Sequence, residues 1–267
     1  MSAITPLLVL FGLAVGTIGT MMGVGGGFLH VPFLTLVFGF SPQAAMADSL
    51  AIIFLNTLAG SCLYYEQKRI DLALAGKLSF AVVPGAVLGP LIADGYSSDV
   101  FALLFCAGLL LCALKLVIGE RYLALPSGAA PGRSAPFPET SSQAAPGGVD
   151  VELGVLGTFI IGFLSNLMGI GGGIIHVPFL ILLLRVPTHV AIGTSHFILC
   201  VSSGLGTLVF VLLGHVHLDF AIPIGIGATL GAAFGANLAR RAKALVLRRM
   251  LAALLALVAL KMAVSAW

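Results

Sequence analysis

Residues 23–34 return almost unchanged 146 positions later. The first copy reads Gly23-Val24-Gly25-Gly26-Gly27-Phe28-Leu29-His30-Val31-Pro32-Phe33-Leu34. The second reads Gly169-Ile170-Gly171-Gly172-Gly173-Ile174-Ile175-His176-Val177-Pro178-Phe179-Leu180, with nine of the twelve positions identical. The same offset pairs Ser49 with Ser195, Gly60 with Gly206, Gly85 with Gly231, Gly89 with Gly235 and Lys115 with Lys261. A duplicated unit built around a Gly-rich break predicts a helix interrupted twice, an arrangement that membrane transporters use for a site near mid-membrane.

The membrane enters through composition. The chain is 59% hydrophobic and 9% charged, with a mean hydropathy of +1.14. A soluble surface needs more polar cover than that. The expected fold class is all-α and polytopic, with two inverted repeats each holding a glycine-broken helix, discontinuous or re-entrant. Residues 1–118 form the first repeat and 153–267 the second. Between them, 119–152 is rich in Pro, Gly, Ala and Ser and reads as a cytoplasmic linker.

Each repeat divides into five apolar segments: 6–22, 28–40, 44–64, 72–93 and 100–118, then 153–168, 174–184, 189–213, 220–239 and 245–264. Segment 28–40 is about 20 Å long as a helix, short of the roughly 30 Å hydrocarbon core, and reads as a half-helix. With Lys68 and Arg69 inside, Arg185 and the cluster Arg240, Arg241, Lys243, Arg248 and Arg249 also fall inside. Loop 94–99 and residues 215–219 fall outside, as does each terminus. Matching loops thus carry opposite charge signatures, as inversion under the positive-inside rule requires. The net charge of +3 therefore sets orientation and implies no nucleic-acid partner. The expected location is the cell membrane, crossed many times.

Four cysteines, Cys62, Cys106, Cys112 and Cys200, lie in apolar segments without a C-x-x-C pair, so neither a metal site nor a disulfide framework is expected. Residues 23–27 lack the Gly-Lys-Ser/Thr ending of a P-loop and the βαβ context of a dinucleotide fold. No cofactor is expected.

The candidate site is read from the breaks. Gly25, Gly26 and Gly27, with Gly171, Gly172 and Gly173, let backbone approach a ligand; glycines also serve close helix packing. His30 and His176 fall in the first turns of two half-helices, whose free N–H groups and dipole favour an anion. Pro32 and Pro178 follow, placed where a missing N–H is harmless if the helix has just begun. Asp48-Ser49 and Thr194-Ser195-His196 are read as opening the next, longer helices, where hydroxyls line a site or cap. Asn56 and Ser202 lie two turns further on, as polar lining or interhelical contact. Asp48 is the candidate for coupling, since an acid within a membrane is costly and usually functional. Ser195 adjoins His196, but consecutive helical residues point to different faces, so an intramembrane enzyme is not expected.

The paired G-x-G-G-G-x-x-x-V-P-x-L signatures at 23–34 and 169–180 resemble those of the sulfite exporter TauE/SafE family. So do Thr194-Ser195-His196-Phe197, Asn56-Thr57-Leu58-Ala59-Gly60 and Gln67-Lys68-Arg69-Ile70-Asp71. The resemblance covers nearly the whole chain apart from the linker. It implies an exporter of sulfite, sulfoacetate or a related organosulfonate, with a small anion and the bilayer as partners; a homodimer is compatible with it. Asp48 stands where the pattern implies a small hydroxyl residue like Thr194. A divalent-metal or other small-anion permease is the alternative, suggested by His30, His176 and His196.

Overall fold

The computed structural model describes residues 4–95, 151–242 and Val246. Eight helices carry those residues: α1 Thr5–Met22, α2 Gly27–Phe38, α3 Pro42–Glu66, α4 Leu72–Ala93, α5 Val151–Leu167, α6 Gly173–Leu182, α7 Thr188–Leu212 and α8 Leu218–Arg241. No strand occurs among them. Helices α1, α3, α4, α7 and α8 are long and apolar enough to cross a membrane. The predicted segments 100–118 and, Val246 apart, 245–264 lie outside this description, as does the linker except Val151 and Glu152, which already belong to α5.

Backbone geometry repeats with the sequence. Helix α1 ends where Gly23, Gly25 and Gly26 take φ of 78°, 80° and 92°, and Gly169, Gly171 and Gly172 repeat this at 68°, 79° and 93°. Side chains with a Cβ rarely adopt that region. The chain then turns back on itself: α2 packs along α1, with Phe33 stacked on Phe11 at 3.7 Å and His30 edge-on to the same ring. Helix α6 returns past α5 likewise, with His176 beside Thr158 and Phe179 against Gly157. Two helical hairpins result, each with a glycine tip.

Partners of the hairpins are exchanged between halves. Helix α1 lies along α8, where Gly12 and Gly16 meet the backbone of Ile224 and Ala228, and Gly227 and Gly231 meet that of Val9 and Leu13. Helix α5 lies along α4, with Gly85 and Gly89 against Phe159, Phe163 and Leu167. Small residues let helices approach this closely without a water-driven force. The long helices α3 and α7 cross between the two hairpins.

Lysine and arginine are segregated by end. All Lys and Arg among the described residues (Lys68, Arg69, Lys77, Arg185, Arg240 and Arg241) lie in the turns α3–α4 and α6–α7, at the start of α4 or at the end of α8. These elements meet: Ile70 and Ala242 pack on Tyr64, Ile192 and Ala239, and Leu74 and Leu78 pack with Leu184 and Val186. At the opposite end His215 binds Asp94 at 2.6 Å, and Phe40 packs on His217 and Phe220.

Candidate functional site

The two glycine tips touch in the centre. A Cβ on Gly27 would strike the backbone of Ile170, and one on Gly173 would strike Val24 and the carbonyl of Gly23. Each tip is held by a serine of the other half. Ser49 on α3 donates to the carbonyl of Gly169 at 2.7 Å, and Ser195 on α7 donates to that of Gly23 at 3.1 Å.

Both serines are the eighth residue of their helix, because α3 begins at Pro42 and α7 at Thr188. Asp48-Ser49 and Thr194-Ser195 therefore do not open their helices. The N-cap of α3 is Ser41, which accepts from the Ala44 N–H, and α7 is preceded by Pro187. A second correction concerns Pro32 and Pro178. Each is the sixth residue of its half-helix, past the four whose N–H groups are free anyway, so each removes a real helical bond.

Asp48 and Thr194 cap other helices. The N–H of His217, N-cap of α8, donates to Asp48 Oδ1 at 2.6 Å, and the N–H of Asp71, N-cap of α4, donates to Thr194 Oγ1 at 3.1 Å. The offset relates these bonds, 48 to 194 and 71 to 217. A carboxylate at a helix start also meets the positive end of the helix dipole. Asp48 is fully buried, and its other oxygen has no hydrogen-bond partner among the described residues.

Polar side chains gather on one side of the tips more than on the other. Thr20 donates to Asn56 Oδ1 at 3.0 Å, and Asn56 donates to the carbonyl of Gly25 at 3.2 Å. His196 Nε2 lies 3.3 Å from Thr20 Oγ1, and Tyr64 donates to the Thr20 carbonyl at 2.7 Å. All four side chains are buried. The offset converts Thr20 and Asn56 into Asn166 and Ser202, which bond each other at 2.7 Å. It converts His196 and Tyr64 into Leu50 and Phe210, so the twin cluster around Asn166 lacks the histidine and the phenol.

His30 and His176 lie elsewhere. Each ring faces the long arm of its own hairpin: His30 beside Phe11 and Gly26, with neither nitrogen bonded among the described residues, and His176 at 3.2 Å from Thr158 Oγ1. Between the tips stand Ile53 and Leu199, fully buried and related by the offset; they face Gly25, Gly27, Gly171 and Gly173. The structure thus brings Gly25, Gly27, Gly171, Gly173, Ser49 and Ser195 together, with Asn56 and His196 adjoining. Gly26 and Gly172 point toward Val15 and Ser165 instead. Thr20, Tyr64, Ile53 and Leu199 carry no local signal in the sequence that marks them. Following the offset through every polar residue, which pairs Thr20 with Asn166, would have found the first. Among the described residues no three His, Cys, Asp or Glu side chains come close enough to hold a metal ion.

Comparison with known proteins agrees with the sequence pattern. A family model described as Sulfite exporter TauE/SafE matches residues 8–262. The probable membrane transporter protein YunE of Bacillus subtilis is 30% identical over 242 residues, covering 88% of each chain. A probable membrane transporter protein of Methanocaldococcus jannaschii is 26% identical over 96% of this chain and 94% of its own. The probable membrane transporter protein MamO of Paramagnetospirillum magneticum is 28% identical over 97% of this chain but only 44% of its own length. No solved structure matches the chain.

Proposed function

Because the chain belongs to the sulfite exporter TauE/SafE family, we propose that it is a secondary transporter of the cell membrane exporting a small sulfur oxyanion: sulfite, sulfoacetate or a related organosulfonate. The observation that carries this reading is the meeting of two helix N-termini, α2 and α6, at tips pinned by serines of opposite halves. Helix starts present unpaired N–H groups and a positive dipole end, which favour an anion. On this reading the hairpins enter the bilayer from opposite faces as inverted repeats, and the arginine-rich end is cytoplasmic. Ile53 and Leu199 then close the path between the tips and must part for the cargo to pass.

Energetics favour the outward direction. An inside-negative potential drives a permanent anion out at about 2.3 kcal/mol per charge per 100 mV. Export therefore needs no co-transported proton, whereas uptake of the same anion needs a cation. Asp48 and His196 are the residues proposed to link flux to pH.

Proteoliposomes holding the full chain test the reading against sulfoacetate, sulfite, thiosulfate and nickel, with the potential clamped by valinomycin. Electrogenic flux of a sulfur oxyanion supports it. Flux of nickel alone would replace the cargo with a divalent cation. Labelling of Gly95→Cys and Ala242→Cys from opposite faces tests the topology, and labelling from one face refutes it.

A further inference from the structure

Arg69 is the only Lys or Arg buried among the described residues, at 7% exposure. It forms no ion pair there. Burial first, with Arg240 adding to it, holds its pKa below the ordinary arginine value; the nearby Tyr64 opposes this. The turn that carries it is tightly seated. Gly193 on α7 has no Cβ where one would strike the Arg69 backbone, and the next N–H but one, that of Asp71, is held by Thr194. Tyr64 and Ile70, on either side of it in sequence, pack in one cluster with Ala239 and Ala242, which flank Arg240 and Arg241.

The twin positions explain what such a site accepts. The 146-residue offset maps Arg69 onto His215 and Arg240 onto Asp94. At that other end the two side chains form a 2.6 Å pair of base and carboxylate. At the basic end the same backbone positions carry two cations. Glu66 and Asp71 lie beside this turn, yet neither forms an ion pair with Arg69 or Arg240, so both guanidinium groups are open to an added oxyanion. Inward of Arg69 stands Tyr64, whose phenol is bonded to Thr20, and beyond Thr20 come His196, Asn56 and the Gly25 carbonyl.

We propose that Arg69, with Arg240 at the rim, is the docking site where a soluble oxyanion cargo meets the transporter on its basic face, at the mouth of the polar line Tyr64–Thr20–Asn56/His196. The proposal rests on the transport reading above. A planar guanidinium suits two oxygens of a sulfonate or sulfite at once, and the exposed Arg240 raises the local anion concentration. A lipid phosphate offers the same chemistry, so the test separates the two sources.

The purified full chain in phosphate-free maltoside micelles is treated with phenylglyoxal, and modification of each arginine is read by mass spectrometry. Sulfoacetate at about ten times its Kd should slow modification of Arg69 about tenfold and leave exposed Arg185 unchanged; chloride at equal ionic strength should do neither. Protection by phosphatidylglycerol and not by sulfoacetate would assign the site to lipid and overturn the proposal. No protection, while proteoliposomes transport sulfoacetate, would overturn the docking site and leave the transport reading standing. Neither protection nor transport of any sulfur oxyanion would overturn both. In proteoliposomes Arg69→Gln should raise the half-saturating sulfoacetate concentration about tenfold or more, and Arg240→Gln should raise it severalfold only at low salt. An unchanged half-saturation in Arg69→Gln would also overturn the proposal.

Discussion

At the tips the two halves are near copies, and at the ends they are opposites. Residues 23–27 and 169–173 differ only in Val24 against Ile170, and their positive φ angles agree closely. The same offset sets Arg69 against His215 and Arg240 against Asp94. The tips touch backbone to backbone, so any added atom must displace main chain. At the ends Arg240 and Asp94 are exposed and His215 is half-buried, so charge can change there with less effect on packing, Arg69 alone being buried. Identity between the halves therefore tracks steric constraint, and divergence marks where each half has a separate task.

That contrast is open to test, and the tips should give the largest effects. Gly27→Ala and Gly173→Ala each place a Cβ on main chain of the opposite half. Each should cost about 3 kcal/mol, the upper range for overpacking, and abolish transport; thermal unfolding in detergent and proteoliposome flux measure both. A variant that tolerates one change and not the other would show that the tips are not equivalent.

Next come the serines. Ser49→Ala and Ser195→Ala each leave a buried carbonyl short of a donor, at about 1–3 kcal/mol. Ser49, with the shorter bond, should be the more sensitive in a paired melting comparison. Equal insensitivity of both would mean that the tips are held by apolar contact alone.

The polar line should break the equivalence. Tyr64→Phe removes a donor to the Thr20 carbonyl, a loss of about 1 kcal/mol, and should slow flux at constant protein yield. Leu50→His, which copies His196 onto its twin position in the first half, should bury a ring without its phenol partner and lower stability without adding transport. Smallest of all, Asp94→Asn should change stability by less than about 1 kcal/mol, as surface pairs do, because both side chains of the pair are partly exposed.

Much of this is legible in the amino-acid sequence. The repeat offset, the glycine breaks and the sorting of arginines are one-dimensional signals with direct geometric consequences. The role of Ser49 could not be read, because its acceptor lies 120 residues away and local hydroxyl chemistry suggests a cap. Nor could the part played by Ile53 and Leu199. In an apolar chain nothing local separates a residue that fills the centre from one that faces lipid. In sequence Arg69 reads with Lys68 as an orientation signal, and only its burial sets it apart. An acid at Asp48 stands out in so apolar a stretch, but its bond to the start of α8 depends on the turn before that helix folding back over α3.

Two residues carry a further consequence. Lys68 and Arg185 hold φ of 54° and 55°, while their counterparts 146 positions away, Gly214 and Gly39, hold 79° and 69°. A side chain in that conformation costs about 1–2 kcal/mol, and glycine avoids the cost at the other end. Lys68→Gly or Arg185→Gly should therefore make the folded protein more stable and, on the proposed topology, weaken the signal that sets its direction of insertion. Selection for stability alone would drift toward a chain that inserts either way up and, in a mixed population, works against itself.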